Sequence, residues 1–204
     1  MLEDLPATER DAENAKKIAM SMGIPEANIK TFNNATVQSL TKYFRQTGLA
    51  LGSKNVDGKR SFMLVYCAGH GVCDQMQHFV LNDAKENVIN IEERLRSLAK
   101  NTDTSILAFY DACKSEKSSF PNLKMRGGDD LSSFGEKYEY LHIGTHPRQT
   151  VEAESKLARI TIEQLNKKSE ESATGLIHIP GCFTGIGEQH VTGVGYSIQW
   201  KKST

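Results

Sequence analysis

The sequence predicts an α/β fold in which a mostly parallel sheet is covered by helices. Two continuous apolar runs, at 61–67 and 105–110, have the length and bulk of strands covered on both faces. Segments with apolar residues at helical spacing alternate with them along the chain, the pattern of strand–helix–strand units. The length, 204 residues, suits one domain around one sizeable core.

Taken in order, Thr8 and Asp11 open a first helix as an approximate capping box. Ala12, Ala15, Ala19 and Met22 then recur at helical spacing, and Gly23 with Pro25 ends it. Residues 29–32 are a short strand candidate. Asn33-Asn34 reads as a turn, and Val37, Leu40 and Phe44 as a second amphipathic helix, followed by a loop over 52–58. The first buried strand, 61–67, ends abruptly in Ala68-Gly69-His70-Gly71. Residues 78–82 read as a hairpin arm. Leu95, Leu98 and Ala99 mark a third helix. The second buried strand, 105–110, ends in Asp111-Ala112-Cys113-Lys114. Residues 114–137 are polar, glycine-rich and charged, and are expected as a long loop, which in a compact domain is functional or disordered. A strand is expected over 138–145 and a fourth helix around Leu157, Ala158, Ile160 and Leu165. Val194, Tyr196, Ile198 and Trp200 alternate at period two, as an edge strand does. No internal repeat is evident.

Charge balances at 25 basic and 25 acidic residues, which argues against a nucleic-acid partner and against polybasic membrane attachment. The opening MLEDLPATERDAEN lacks the apolar core of a signal peptide, and no run of about 18 apolar residues suggests a span. The expectation is a cytoplasmic protein with no membrane partner. Cys67, Cys73, Cys113 and Cys182 form no CxxC pair, so reduced thiols are expected. Each is then a small core residue or a reactive group. His78, His142, His146, His178 and His190 show no metal-ligand spacing, and no metal or other cofactor is expected.

The chemistry concentrates at two strand ends. In open α/β sheets the ligand site lies beyond the carboxyl ends of the strands, and there the chain carries His70 on one strand and Cys113 on the other. A cysteine nucleophile wants a neighbouring base to hold it as thiolate. The imidazole then protonates the leaving amine. The developing oxyanion needs backbone N–H donors. Gly71 can offer one, because a glycine admits close approach of a substrate backbone, and the N–H of Cys113 can offer another.

These residues carry a resemblance. Tyr66-Cys67-Ala68-Gly69-His70-Gly71 resembles the strand–His–Gly signature of caspase-like cysteine peptidases, and Phe109-Tyr110-Asp111-Ala112-Cys113-Lys114 resembles their strand-end cysteine motif. The order of the pair matches that family, and its separation of 43 residues is close to the family's, about 50. The order of helices and strands fits over nearly the whole chain. The resemblance implies a caspase-like three-layer α/β/α sandwich, with a large-subunit-like part (1–113), a linker (114–137) and a small-subunit-like part (138–204). It implies a cysteine-type endopeptidase acting on protein or peptide substrates, with a homodimer open. True caspases carry Gln two residues before the nucleophile. Asp111 stands there, as in metacaspases and paracaspases, where that Asp floors the pocket for a substrate Arg or Lys. A carboxylate pairs with guanidinium or ammonium and repels a substrate aspartate. By the same resemblance Glu152 is a second pocket acid. Some metacaspases need calcium, though Asp129-Asp130 stands in no EF-hand pattern. Relatives cut themselves in the linker, where Lys124 and Arg126 are candidate sites.

Two features depart from the family. The central strand that normally precedes the first helix has no counterpart before Thr8, so the first strand is expected to be missing. Asn33-Asn34 stands where a further pocket acid is often found in metacaspases. A plainer reading stands beside the catalytic one: Cys113 as a buried strand-end cysteine, His70 as a turn residue, Asp111 as a turn cap, Glu152 as a solvated charge. Cys67 reads as core, Cys73 and Cys182 as incidental, Trp200 as packing. The competing functions are a non-catalytic scaffold with a caspase-like fold and a legumain-like or separase-like peptidase.

Overall fold

A computed structural model of the chain describes residues 8–54, 61–73, 77–81, 87–112, 115–116, 124–125, 140–145, 163, 167, 176–178, 189–194 and 199–201. The first helix, α1 (Thr8–Ser21), spans the expected residues and buries Ile18 and Ala19. It ends where expected, because Gly23 takes a left-handed φ of 81° that costs glycine little. The Gly23 N–H then reaches back to the Met20 carbonyl at 2.9 Å.

The strand expected at 29–32 does not form. Pro25 leads into a single 3-10 turn, Glu26–Asn28, and Ile29 is only half-buried between exposed neighbours. One apolar residue gives a strand no face to bury. Phe32 instead lays its ring edge-on against Tyr43 at 5.0 Å. Tyr43 belongs to α2 (Val37–Lys54), which Thr36 caps. Thr36 Oγ1 accepts the Ser39 N–H at 3.0 Å, and Ser39 Oγ accepts the Thr36 N–H at 3.0 Å. This reciprocal cap satisfies two donors at the helix start. Packing on α3 (Ile91–Thr102) carries α2 through Gly48 and Gly52, into the stretch expected as loop. Asn90 caps α3, its side-chain oxygen accepting the Glu93 N–H at 3.0 Å.

Among the described residues the main sheet has four strands, in the order β1 (Ser61–Gly69), β5 (Thr104–Ala112), β8 (Tyr140–Thr145) and β10 (Gln189–Val194). The first three are parallel and the fourth is antiparallel to β8, so the fold is α/β with a mostly parallel sheet. All nine residues of β5 are buried, as its apolar run and central place require. β1 is the outer strand, and Met63–Gly69 stay half-buried. Among the described residues no strand pairs with its outer side. The two expected strands therefore lie side by side, longer than expected by two residues in β1 and three in β5, but β1, expected to be covered on both faces, is only half-buried because among the described residues it lies at the edge of the sheet.

Strand alternation sorts the side chains. Ile106, Ala108, Tyr110 and Ala112 of β5 join a cluster with Leu40 of α2 and with Leu95, Leu98 and Ala99 of α3, and Met63, Val65 and Cys67 of β1 pack against it. Leu107, Phe109 and Asp111, equally buried, stand outside that cluster on the opposite face. α1 packs on β1 and gives none of its buried side chains to the cluster.

A second, smaller sheet follows the order β6 (Ser115–Glu116), β2 (Gly71–Cys73), β3 (Gln77–Val80), β4 (Asn87–Asn90) and β7 (Lys124–Met125). The expected hairpin arm is β3. Within 114–137, expected as loop, the described pieces are strands β6 and β7, because β2 and β4 offer them backbone partners. The single edge strand expected over 194–200 is also corrected. β10 ends at Val194, and Trp200 belongs to β11 (Gln199–Lys201), paired with β9 (Leu176–His178). Gly193 and Gly195 weaken a continuous strand there. The fourth helix expected around 157–165 falls outside the described residues, apart from Glu163, which is helical and exposed.

Leu95 is fully buried in the cluster that seats α3, whereas Leu49 of α2 is 71% exposed. Leu95→Ala is expected to lower unfolding free energy by about 2–5 kcal/mol and Leu49→Ala by less than about 0.5 kcal/mol, read from urea denaturation.

Candidate active site

The first strand changes course at Gly69, whose φ of 149° is one that side-chain-bearing residues rarely adopt. Space is not the constraint, since a Cβ there would stand 3.9 Å from Phe79 Cδ1. The backbone conformation requires the glycine, and it turns the chain from the main sheet into β2. His70 is the residue at that corner. It is half-buried, and its carbonyl accepts the Val80 N–H at 3.0 Å.

That bond fixes the direction of the next amide. In an antiparallel ladder hydrogen-bonded and non-hydrogen-bonded pairs alternate. His70 faces Val80 across the hydrogen-bonded position, and Gly71 faces Phe79 across the next one. The Gly71 N–H therefore points away from β3, to the side where β6 runs. Gly71 is buried.

The register between the two strand ends is constant. β1 and β5 pair from Ser61 with Thr104 through Gly69 with Ala112, and β2 and β6 resume with Val72 opposite Ser115 and Cys73 opposite Glu116. Every pair has an offset of 43 residues, the separation of His70 from Cys113 in the sequence. The chain on both sides of positions 70 and 113 thus runs in step, at the spacing of neighbouring strands, about 4.8 Å. Cys113 and Glu152 lie outside the described residues, as do Arg126, Asp129, Asp130 and Cys182.

Asp111, next to last in β5, lies on the face away from the α2–α3 cluster and is only 5% exposed. The Tyr66 hydroxyl donates to its Oδ2. The Tyr66 ring lies over Phe109, its register partner, with centroids 6.0 Å apart and planes 27° apart. A buried carboxylate is costly without a donor, and this one has a phenol held by the sheet itself. Sequence reasoning quoted Tyr66 inside a motif and gave it no role. No sequence signal gives that role, since the offset that puts Tyr66 beside Phe109, two residues before Asp111 on the same face, belongs to the strand register.

Cys67 is on the other face, against the cluster, and carries a free thiol. Burial pushes that thiol up to about 12, which suits the core residue expected and not a nucleophile. His78 is buried on β3 opposite Val72. Among the described residues no three His, Cys, Asp or Glu side chains gather as a metal site, and no helix is long and apolar enough to cross a membrane.

No family model and no curated protein matches the chain. Among solved structures it is similar to a Geobacter sulfurreducens protein determined as a structural-genomics target, with 15% identity and a TM-score of 0.54 over 94% of this chain and 84% of that one. The likeness extends to the fold and carries no activity with it.

The Cys67 thiol yields a stability signature. Below about pH 9 both folded and unfolded chains hold its proton. As pH rises towards 12 the unfolded chain releases it first, so the folded state loses ground across that window. Cys67→Ala is expected to flatten this part of the pH–stability curve, measured by urea midpoints at alkaline pH. In the native protein at pH 8, iodoacetamide is expected to leave Cys67 unmodified, read by peptide mass mapping.

Proposed function

We propose that the chain is a cysteine-type endopeptidase with a caspase-like three-layer fold, cutting after Arg or Lys, in which Cys113 is the nucleophile and His70 its acid and base. The observation that carries this reading is the common offset of 43 residues before and after the two positions. A pair of residues in step at the ends of neighbouring strands would come within reach of one peptide bond, which supports the dyad.

The steps follow from the residue chemistry. His70 takes the Cys113 thiol proton, the sulfur bonds to the scissile carbonyl carbon, and the carbonyl electrons move onto its oxygen. The N–H groups of Gly71 and Cys113 receive that oxyanion. The direction of the Gly71 N–H, away from β3, supports the first of these roles. His70 delivers a proton to the leaving nitrogen as the C–N bond breaks. Water then attacks the thioester while His70 takes its proton, and the Cys113 sulfur leaves.

The acid at position 111 sets the specificity. Its burial at the same end of the sheet supports a pocket that receives a cation, with Glu152 as a second acid by resemblance. A reducing compartment such as the cytosol keeps the required thiol available. Cleavage of the chain after Lys124 would first require β7 to leave β4.

Fluorogenic peptides ending in Arg, Lys or Asp, with and without calcium, test the proposal. Turnover is expected after Arg and Lys alone. It is expected to vanish in Cys113→Ala and to fall about 10²–10⁴-fold in His70→Ala. Asp111→Ala is expected to lose the basic substrates while Cys113 still reacts with a small alkylator. Failure to cut any peptide would leave the non-catalytic scaffold as the reading to adopt.

A further inference from the structure

We propose that the pairing of β7 with β4 is a latch on the Lys124–Met125 peptide bond, withholding it from cleavage after the lysine until β7 is released. As a control on self-cleavage the inference rests on the peptidase reading; as protection of the bond it does not.

The latch is built from backbone alone. The bond after Lys124 lies inside β7, because that strand is Lys124 and Met125, running parallel to Asn87 and Val88 of β4. The ladder sets which groups of β4 meet it. The Val80 N–H reaches the His70 carbonyl, so Val80 directs its backbone groups to the β2 side and Phe79 turns its own to β4. Phe79 faces Ile89. Ile89 therefore answers towards β3, and Val88, one residue earlier, directs its N–H and carbonyl towards β7.

β4 is the fixed half of the pair. Ile89 is buried in the main cluster, and Asn90 both closes β4 and caps α3, with Ile91 and Leu95 buried just beyond it. β7 is the outermost strand of the smaller sheet and, among the described residues, pairs with β4 alone. Two residue pairs are a small part of the stability of a domain, so β7 opens as a local event while the rest stays folded.

A peptidase takes up an extended backbone, and the groups of a strand already engaged in a ladder are withheld from it. Cleavage then tracks the population in which the strand has opened. Distance excludes the chain's own dyad as well. β7 stands three strand places from β2, in the order β2, β3, β4, β7, which is about 14 Å at the usual spacing. His70 directly precedes β2, so the bond must leave β4 to reach it.

The test uses the full chain with Cys113→Ala, which removes self-cutting. A lysine-specific endoproteinase is added in the native state, and the initial rate at the Lys124–Met125 bond is read by mass spectrometry. The bond is expected to be cut about tenfold more slowly than in a free peptide of the same local sequence, the scale of two backbone hydrogen bonds. Val88→Pro, which deletes a donor facing β7, is expected to raise the rate about fivefold. Should Val88→Pro fail to fold, Val88→Cys with Met125→Cys gives the test in the opposite sense. These register partners have Cα atoms about 4.8 Å apart, within reach of dibromobimane. The bridged chain is expected to be cut about tenfold more slowly than the same chain capped singly with monobromobimane. A native rate equal to that of the free peptide, a folded Val88→Pro cut no faster, or a bridged chain cut as fast as the capped one would each overturn the proposal. With Cys113 intact, self-cutting after Lys124 is expected to quicken in Val88→Pro. A chain that turns over Arg and Lys peptides without that quickening also overturns it. The peptidase reading fails separately: protection of the bond as described, with no peptide cut by the chain, removes the peptidase and leaves the latch standing against other lysine-directed peptidases.

Discussion

The parallel pairing of β1 with β5 is the constraint from which the rest of the site follows. It is made of backbone hydrogen bonds along nine residue pairs, from Ser61 with Thr104 to Gly69 with Ala112. A slip of one residue would exchange the two faces of a strand. It would carry Tyr66 off the face of Phe109 and Asp111 and bring Cys67 onto it. The burial of β5 on both faces opposes such a slip, because every one of its side chains already has a place in the packed interior.

The same pairing separates inert from capable groups. One face of β5 gives Ile106, Ala108, Tyr110 and Ala112 to the α2–α3 cluster, and Cys67 packs there with its thiol held protonated by burial. The other face carries Tyr66, Phe109 and Asp111, with a hydrogen bond between the first and last. Alternation along a strand therefore does two jobs with adjacent residues, building the core with one set and presenting polar chemistry with the other. Gly69 and the turn at His70 then end the regular alternation and start the smaller sheet, whose ladder sets the direction of the Gly71 amide.

Much of this was legible in the sequence. The two long apolar runs identified both strands of the central pair, though only β5 is covered on both faces, and Gly23 marked the end of α1, because local chemistry decided those features. Residues 29–32 read as a strand on propensity, yet Ile29 has no apolar companion on its face, and strand formation depends on such neighbours. The strands β6 and β7 were invisible in a polar segment because they exist through their backbone pairing with β2 and β4, which no side-chain pattern reports. The separation of His70 and Cys113 was readable, but its equality with the strand offset was not, since register is a tertiary property. The link from Tyr66 to Asp111 was hidden for the same reason. It crosses between strands, and only the offset reveals that the two residues share a face.

The central claim is that positions 70 and 113 stand side by side at the ends of neighbouring chain segments. A cross-linking measurement tests it without reference to activity. The variant His70→Cys, treated in the native state with dibromobimane, a reagent that fluoresces on bridging two nearby thiols, is digested and mapped by mass spectrometry. The account predicts a bridge between the introduced thiol and Cys113, lost when Cys113→Ala is added. A native His70→Cys protein whose two thiols are each singly modified and never bridged would contradict it.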